Sequence, residues 1–413
     1  MNTRQFIEEN KLGDVRMLAL TASKHPSVNM PFALDQIAGW QTARKKLPKW
    51  SMKPLIIYPP HLSMEQCSSE FTAMYKASVV AEKIESGVMT DGSMADITGG
   101  FGVDFSFLAE KFRRAVYVER QKRLCSIARH NFRQLELGHA EVVCGNGDDY
   151  IFSMKPQDFV YIDPARRNDR GGRTYAIEDC TPNVAELNSQ LLKVASVAMI
   201  KLSPMLDWHK AVAALTGVTE VHIVSAGNEC KELLLLLRGN IASYSPITIV
   251  CVNDCQRFSY TLAEADHAAE TIAAPLSQTG NTLSQTGIIQ HADPAEYIFE
   301  PNASIMKAGC FDLLCQRYGV RKVAANSNLF VSSDETVDFP GRRFAIEAVT
   351  DMKKRNVREF LHGLEKANIA VRNFPLTAAE LRKRLKLADG GDVYVFGTTD
   401  SAKRHILLRC RKL

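Results

Sequence analysis

Four carboxylates stand where short apolar runs end. Asp96 lies in SMADIT, Glu119 closes AVYVE, Asp148 follows AEVVC in the turn Asn146-Gly147-Asp148-Asp149, and Asp163 closes DFVYID. Carboxylates so placed can balance a cation, accept hydrogen bonds from hydroxyls or an amine, and take up a proton. Between the first two runs lies Thr98-Gly99-Gly100-Phe101-Gly102. Glycines there let a ligand approach the backbone closely, and the helix that follows offers unpaired N–H groups. A dinucleotide-phosphate fingerprint would carry a third glycine three positions on, where this chain has Phe105. The flanking acids would repel a pyrophosphate and suit a ligand that is itself positive. The plainer alternative is a tight strand-to-helix turn that binds nothing.

S-adenosylmethionine, with its sulfonium and ammonium, has the required charge. Glu119, about twenty positions after the glycine turn, can bind both ribose hydroxyls; alone it is equally a surface glutamate. Asp148 can accept from the adenine amino group, although an Asx turn or a helix cap ahead of YIF would use the same residues. Asp163 opens Asp163-Pro164-Ala165-Arg166-Arg167. Arg166 can stack on a base or grip a phosphate, or it and Arg167 can form surface salt bridges. Lys201-Leu202-Ser203-Pro204-Met205, at the end of the VASVAMIKL run, are further candidates for a pocket wall. Gln66, Ser68, Ser69 and Thr72 lie on or before a helix that can cover a cofactor or simply cap itself.

These residues need elements to hold them. Residues 1–85 read as helical, broken at Pro59-Pro60, with Phe71, Met74, Tyr75, Val79 and Val80 forming one apolar side. From about residue 92 strands and helices alternate. MADIT, AVYVE, AEVVC, DFVYID, VASVAMIKL and VTEVHIVSA are the expected strands. Such alternation implies parallel pairing in a doubly wound sheet, which binds ligands at the carboxyl ends of its strands. ITIVCVND and RFSYTLAE read as adjacent antiparallel strands, and the twice-written LSQTG at 276–280 and 283–287 reads as a linker. The expected domains are a helical region 1–85, a Rossmann-like α/β domain 86–275, a small α+β unit 288–339 and a basic α+β tail 340–413.

Composition narrows the class. The 413 residues are 46% hydrophobic and 23% charged, as in soluble globular chains. No apolar run is long enough to span a membrane, and the amino-terminal stretch lacks the apolar centre of a signal peptide, so a cytoplasmic location is expected. The ten cysteines are scattered without a CxxC pair, which predicts buried thiols and no metal site. Net charge is +5, but residues 341–413 hold seventeen Lys/Arg against eight Asp/Glu, leaving the rest slightly acidic. A basic tail of that kind fits an anionic partner, RNA foremost. A solvated charged helix face is the alternative for any single run such as Lys353, Lys354, Arg355 and Arg358.

On HLSMEQCSSEFTAMYKA, DITGGFGVD, IDPARR, IKLSPMLD, EPNASIMKAG and the tail, the chain resembles bacterial class I S-adenosylmethionine-dependent methyltransferases with a C-terminal THUMP-like domain, over nearly its whole length. The resemblance implies a Rossmann-like methyltransferase sheet, an N-terminal helical region, and small ferredoxin-like and THUMP-like domains. It implies a cofactor set of Asp96, Thr98, Gly99, Gly100, Phe101, Gly102, Glu119, Asp148 and Asp163. Asp163 and Pro164 would then lie beside the methyl group, with Arg166, from its own chemistry, the third catalytic candidate. It further implies RNA, tRNA or rRNA, as substrate, bound through the tail. The chain departs from the Asp/Asn-Pro-Pro-aromatic pattern of amine-methylating nucleic-acid enzymes: the aromatic clamp is missing. Asp163 and the Pro164 carbonyl keep the acceptor role, so an amine nitrogen is the expected target. Asp-Pro-x-Arg also resembles the uracil C5-methyltransferases, whose chemistry needs a cysteine nucleophile; Cys230 is the one candidate, and a structural thiol is its plainer role. The rival functions are an RNA-binding module with a non-catalytic Rossmann-like domain, a methyltransferase for another acceptor, and a nicotinamide-dependent oxidoreductase.

Overall fold

The structure, a computed structural model, describes residues 1–166, 177–239, 246–273 and 297–413. It divides into two units, Met1–Val221 with Lys231–Ser245, and His222–Cys230 with Pro246–Leu413. The repeated LSQTG segments at 276–287 and Arg167 lie outside the described residues, as does the side chain of Arg166.

The first unit begins with helices Thr3–Asn10, Val15–Ala19 and Met30–Lys46, which close on a small core of Phe6, Met30, Ala33 and Ile37. The helix α1 (Glu70–Glu85) follows; the Ser69 hydroxyl accepts the Thr72 N–H at 3.3 Å and caps it. Its buried stripe differs from the expected one. Phe71 and Met74 are exposed, and the buried positions are Thr72, Ala73, Lys76, Ala77, Val79 and Val80. Small residues let the helix sit close to its neighbour, and a lysine is tolerated in the stripe because it is paired with carboxylates.

Strands and helices then alternate: β1 (Ser93–Asp96), α2 (Val103–Ala109), β2 (Arg114–Glu119), α3 (Lys122–Gln134), β3 (Ala140–Cys144), α4 (Gly147–Ser153), β4 (Gln157–Ile162), α5 (Val184–Val194), β5 (Ala195–Leu202), α6 (Trp208–Ala213), β6 (Val218–Ala226) and β7 (Glu229–Leu237). β1 pairs in parallel with β2 and β4, β2 with β3, and β4 with β5. The order is β6-β7-β5-β4-β1-β2-β3, with β7 antiparallel to β5. β7 is not among the expected strands. Its run of five leucines is buried throughout and has no period of two, so alternation cannot reveal it. The chain steps outward from β1 to β3 and then returns to β4 on the other side of β1. Strand order therefore reverses between β1 and β4, and the crevice beyond their carboxyl ends is the natural ligand site.

In the second unit β8 (Thr248–Asn253) and β9 (Gln256–Thr261) form the expected antiparallel pair, followed by α7 (Leu262–Ala273). The remaining elements are β10 (Tyr297–Pro301), α8 (Ala303–Ala308), α9 (Phe311–Tyr318), β11 (Arg321–Lys322), β12 (Phe330–Ser332), β13 (Gly341–Asp351), α10 (Lys354–Phe360), β14 (Asn368–Arg372), α11 (Ala378–Leu385), β15 (Val393–Thr399) and β16 (His405–Lys412). They build one seven-stranded sheet in the order β11-β12-β10-β13-β16-β15-β14. One core gathers Ile298, Val331, Phe344, Phe396 and Leu408, another Phe360, Leu381, Leu385, Val395 and Leu407. The alternation of side chains along β15 and β16 feeds both. Among the described residues no helix is long and apolar enough to cross a membrane.

Candidate active site

The glycine turn after β1 is shaped by its neighbours. A Cβ on Gly99 would lie 2.2 Å from the Tyr117 ring, and one on Gly102, which has φ +85°, 2.9 Å from Phe132. The Tyr117 hydroxyl donates to the Gly100 carbonyl and fixes the loop. Phe101 turns its ring into the core against Trp50, 4.9 Å between centroids, so it offers a ligand mainly backbone. The turn opens on a cleft of about 750 Å³.

Asp96, Thr98, Gly99, Gly100, Phe101, Gly102, Glu119, Asp148, Asp163 and Pro164 all line that cleft. So do Gln66, Ser68, Lys201, Leu202, Ser203 and Pro204, whereas Met205 is exposed and is not among the lining residues. Ser69 and Thr72 do not; they serve the cap of α1, the plainer of their two expected roles. Asp149 is exposed, and Cys230 is not among the lining residues. Of the residues at the Asp163 motif, the structure places Asp163, Pro164 and Ala165 in the wall. Among the described residues no group of three or more His, Cys, Asp or Glu is arranged to hold a metal ion.

Hydrogen bonds tie the strand ends together. The Asp163 N–H donates to the Thr98 Oγ1 at 2.7 Å, and that hydroxyl donates to Asp96 Oδ1 at 3.2 Å. The Thr98 N–H also donates to Asp96 Oδ1, at 2.9 Å. Glu119 accepts the Gly100 N–H at 3.0 Å and the Gln121 N–H at 2.7 Å, which aims its carboxylate across the mouth of the turn. Asp148 sits in the first turn of α4, whose Gly147 packs against the Ile97 carbonyl so closely that a Cβ would lie 2.0 Å from it.

Four charged groups of the site carry shifted proton affinities. Burial pushes the Asp96 carboxyl up to about 8, helped by the charges of Asp104 and Asp163. Burial would also raise Asp104, but Lys76, Lys201 and hydrogen bonds from Ser68 and Tyr161 hold it below the usual carboxylate range. Burial raises Glu232 despite Lys76 and Lys201 beside it. Burial works to lower Lys201, yet Asp163, Asp104 and Glu232 prevail and hold it above the ordinary lysine value.

Lys76, Asp104 and Glu232 are not among the site residues that the sequence pattern picks out. Lys76 Nζ lies 2.5 Å from Glu232 Oε1 and 3.2 Å from Asp104 Oδ1. The available signals are a lysine inside the Ala73–Ala77–Val80 stripe and a glutamate leading the leucine run. Each is ambiguous until the sheet order places β7 beside β5.

A sheet of this order, parallel from β1 to β5, with acidic strand ends converging on a glycine turn, is a Rossmann-like α/β architecture of the methyltransferase type. Across its length the chain is 31% identical to a candidate methyltransferase from Porphyromonas gingivalis W83, covering 99% of this chain and 97% of that one with a TM-score of 0.82. Family models match the C-terminal part of the chain: one described as a ferredoxin-like domain at 297–340 and one described as THUMP domain-like at 341–412. The chain belongs to the bacterial class I methyltransferases that carry a C-terminal THUMP-like domain. An O-methyltransferase from Bacillus cereus in complex with S-adenosylhomocysteine is 12% identical, with 55% of this chain and 100% of that one covered at a TM-score of 0.33. The M. capricolum protein TrmK, also in complex with S-adenosylhomocysteine, is 14% identical, with 40% and 68% covered at 0.31. No curated relative matches the sequence.

Proposed function

We propose that the chain is an S-adenosylmethionine-dependent methyltransferase (EC 2.1.1.-) that methylates a base of RNA, in tRNA or rRNA, at an amine nitrogen. The observation that carries this reading is the convergence of Asp96, Glu119, Asp148 and Asp163 on one cleft beside Gly99, Gly100 and Gly102. The donor set fits the cofactor: acids for a cation, and acceptors for ribose and adenine. At Gly100, where φ is +57°, a Cβ would meet nothing nearer than 3.7 Å, so the turn is open to a ligand on that side. When bound, S-adenosylmethionine supplies an electrophilic methyl group whose sulfur leaves as a neutral thioether.

The chain's own residues do the rest. Asp96 faces the positive end of the ligand, Glu119 takes the ribose hydroxyls and Asp148 the adenine amino group. Asp163 Oδ1 and the Pro164 carbonyl accept the N–H bonds of the target amine and aim its lone pair at the methyl carbon. The proton released from nitrogen passes to Asp163 and on to solvent. Orientation supplies most of the acceleration such a displacement needs.

The tail supports RNA as the acceptor. Arg355 and Arg358 on α10 and Lys383 and Arg384 on α11 are exposed and make no ion pair among the described residues. Such cations are available to phosphates. Incubating the protein with methyl-labelled S-adenosylmethionine and total RNA from a strain lacking the gene tests the reading. Label in RNA is expected; label only in protein or small molecules would make the acceptor something else, and no transfer at all would contradict the proposal.

A further inference from the structure

The chemistry just described leaves unused a file of alternating charges that runs from the interior to Asp163. Glu232 on β7 holds the Lys76 ammonium of α1 at 2.5 Å, and Lys76 lies 3.2 Å from Asp104 at the start of α2. Asp104 Oδ2 lies 3.8 Å from Lys201 Nζ at the end of β5, and Lys201 Nζ donates to Asp163 Oδ2 at 2.5 Å. Asp104 Oδ2 also accepts from Ser68 at 2.7 Å and from Tyr161 at 2.8 Å. Side-chain exposure rises along the file, from 0% at Lys76 and 9% at Asp104 to 13% at Lys201 and 36% at Asp163.

A buried ion file is weak evidence for stability, because well-packed apolar side chains of similar volume do as well. Its geometry has another use. Asp163 is gripped twice: its backbone N–H by Thr98 and its Oδ2 by Lys201. Among the described residues Oδ1 takes no hydrogen bond, and it belongs to a side chain in the cleft wall. We propose that Lys201 is a positioning residue for methyl transfer. Its ammonium fixes the Asp163 side chain in one rotamer, so that Oδ1 is presented to the methyl acceptor. Asp104, itself held by Lys76, Ser68 and Tyr161, keeps that ammonium on Asp163 and away from the cationic ligand. This rests on the reading of Asp163 as the group that orients the acceptor.

The test compares wild type with Lys201→Met and Lys201→Arg in the full chain. It combines crystal structures, calorimetric binding of S-adenosylhomocysteine, and label transfer to total RNA from the deletion strain. Lys201→Met should show Asp163 in more than one rotamer and lose about 100-fold in kcat, the cost of a misplaced reacting group. Its affinity for S-adenosylhomocysteine and its KM for RNA should stay within about threefold, and Lys201→Arg, which keeps a cation, should recover most of kcat. Should Lys201→Met fail to fold, Lys201→Gln carries the same comparison. A single unchanged Asp163 rotamer without Lys201, or an unchanged kcat, would overturn the proposal. Wild type that labels no RNA would overturn the acceptor reading alone, since the rotamer still decides what Lys201 does.

Discussion

The Thr98 hydroxyl accepts the Asp163 N–H at 2.7 Å and thereby joins the turn after β1 to the end of β4 across the point where strand order reverses. Thr98→Val keeps the shape and removes the acceptor. We expect a loss of ~1–3 kcal/mol in stability from the unpaired N–H, with weaker binding of S-adenosylhomocysteine. Thr98→Ser should restore both. Urea unfolding and calorimetry read the two effects, and a Thr98→Val variant equal to wild type in each would show that the bridge holds nothing in place.

The raised Asp96 carboxyl predicts proton-linked binding. With its value near 8 the group is mostly protonated at pH 7, burial being the main cause. A cation placed beside it favours the carboxylate and lowers that value, so binding expels a proton. Affinity should therefore rise as pH increases toward about 8 and level off above it. Titrations at pH 7 in buffers of different ionisation enthalpy should give different heats. Equal heats would mean that Asp96 does not meet the positive end of the ligand.

Lys76 is fully buried between Glu232 and Asp104. Lys76→Met leaves the buried Glu232 without its ammonium partner and removes one of the groups that hold Asp104, and should cost ~3–5 kcal/mol. Adding Glu232→Gln should recover part of that loss, a coupling that a double-mutant cycle in urea measures. Strict additivity of the two changes would show that the pair does not interact.

The exposed cations of the tail predict a salt effect. Replacing Arg355, Arg358, Lys383 and Arg384 by alanine should leave unfolding nearly unchanged, because none is buried. RNA affinity should fall, and its salt slope should flatten by about 0.7–0.9 for each phosphate no longer neutralised. Point changes are the right tool, since β13 of the tail pairs with β10 and truncation at residue 341 would strip that strand. An unchanged slope would place RNA binding elsewhere.

The sequence pattern reveals the sheet more readily than the charges beneath it. AVYVE, DFVYID and VASVAMIKL announce themselves because apolar runs end in a polar residue at a turn, and the strands observed there match those runs. The leucine run of β7 hides its strand because burial on both faces erases alternation. Lys76 and Glu232 stay hidden for a different reason. They stand 156 positions apart and meet only once β7 has inserted between β6 and β5. The inward face of α1 misleads by size: Phe71 and Met74 point outward while Ala73 and Ala77 make the close approach. No periodicity indicates which of two apolar stripes a neighbouring helix will choose.

Cofactor binding is the claim on which the proposed chemistry stands. Calorimetric titration of wild type and Glu119→Ala with S-adenosylmethionine, S-adenosylhomocysteine and NADH tests it most directly. Wild type should bind the first two and not the third. Glu119→Ala, deprived of the ribose hydrogen bonds, should bind them about 10- to 100-fold more weakly, as expected for hydrogen bonds to a charged group. Failure of wild type to bind either sulfur compound, or binding of NADH in their place, would contradict the claim.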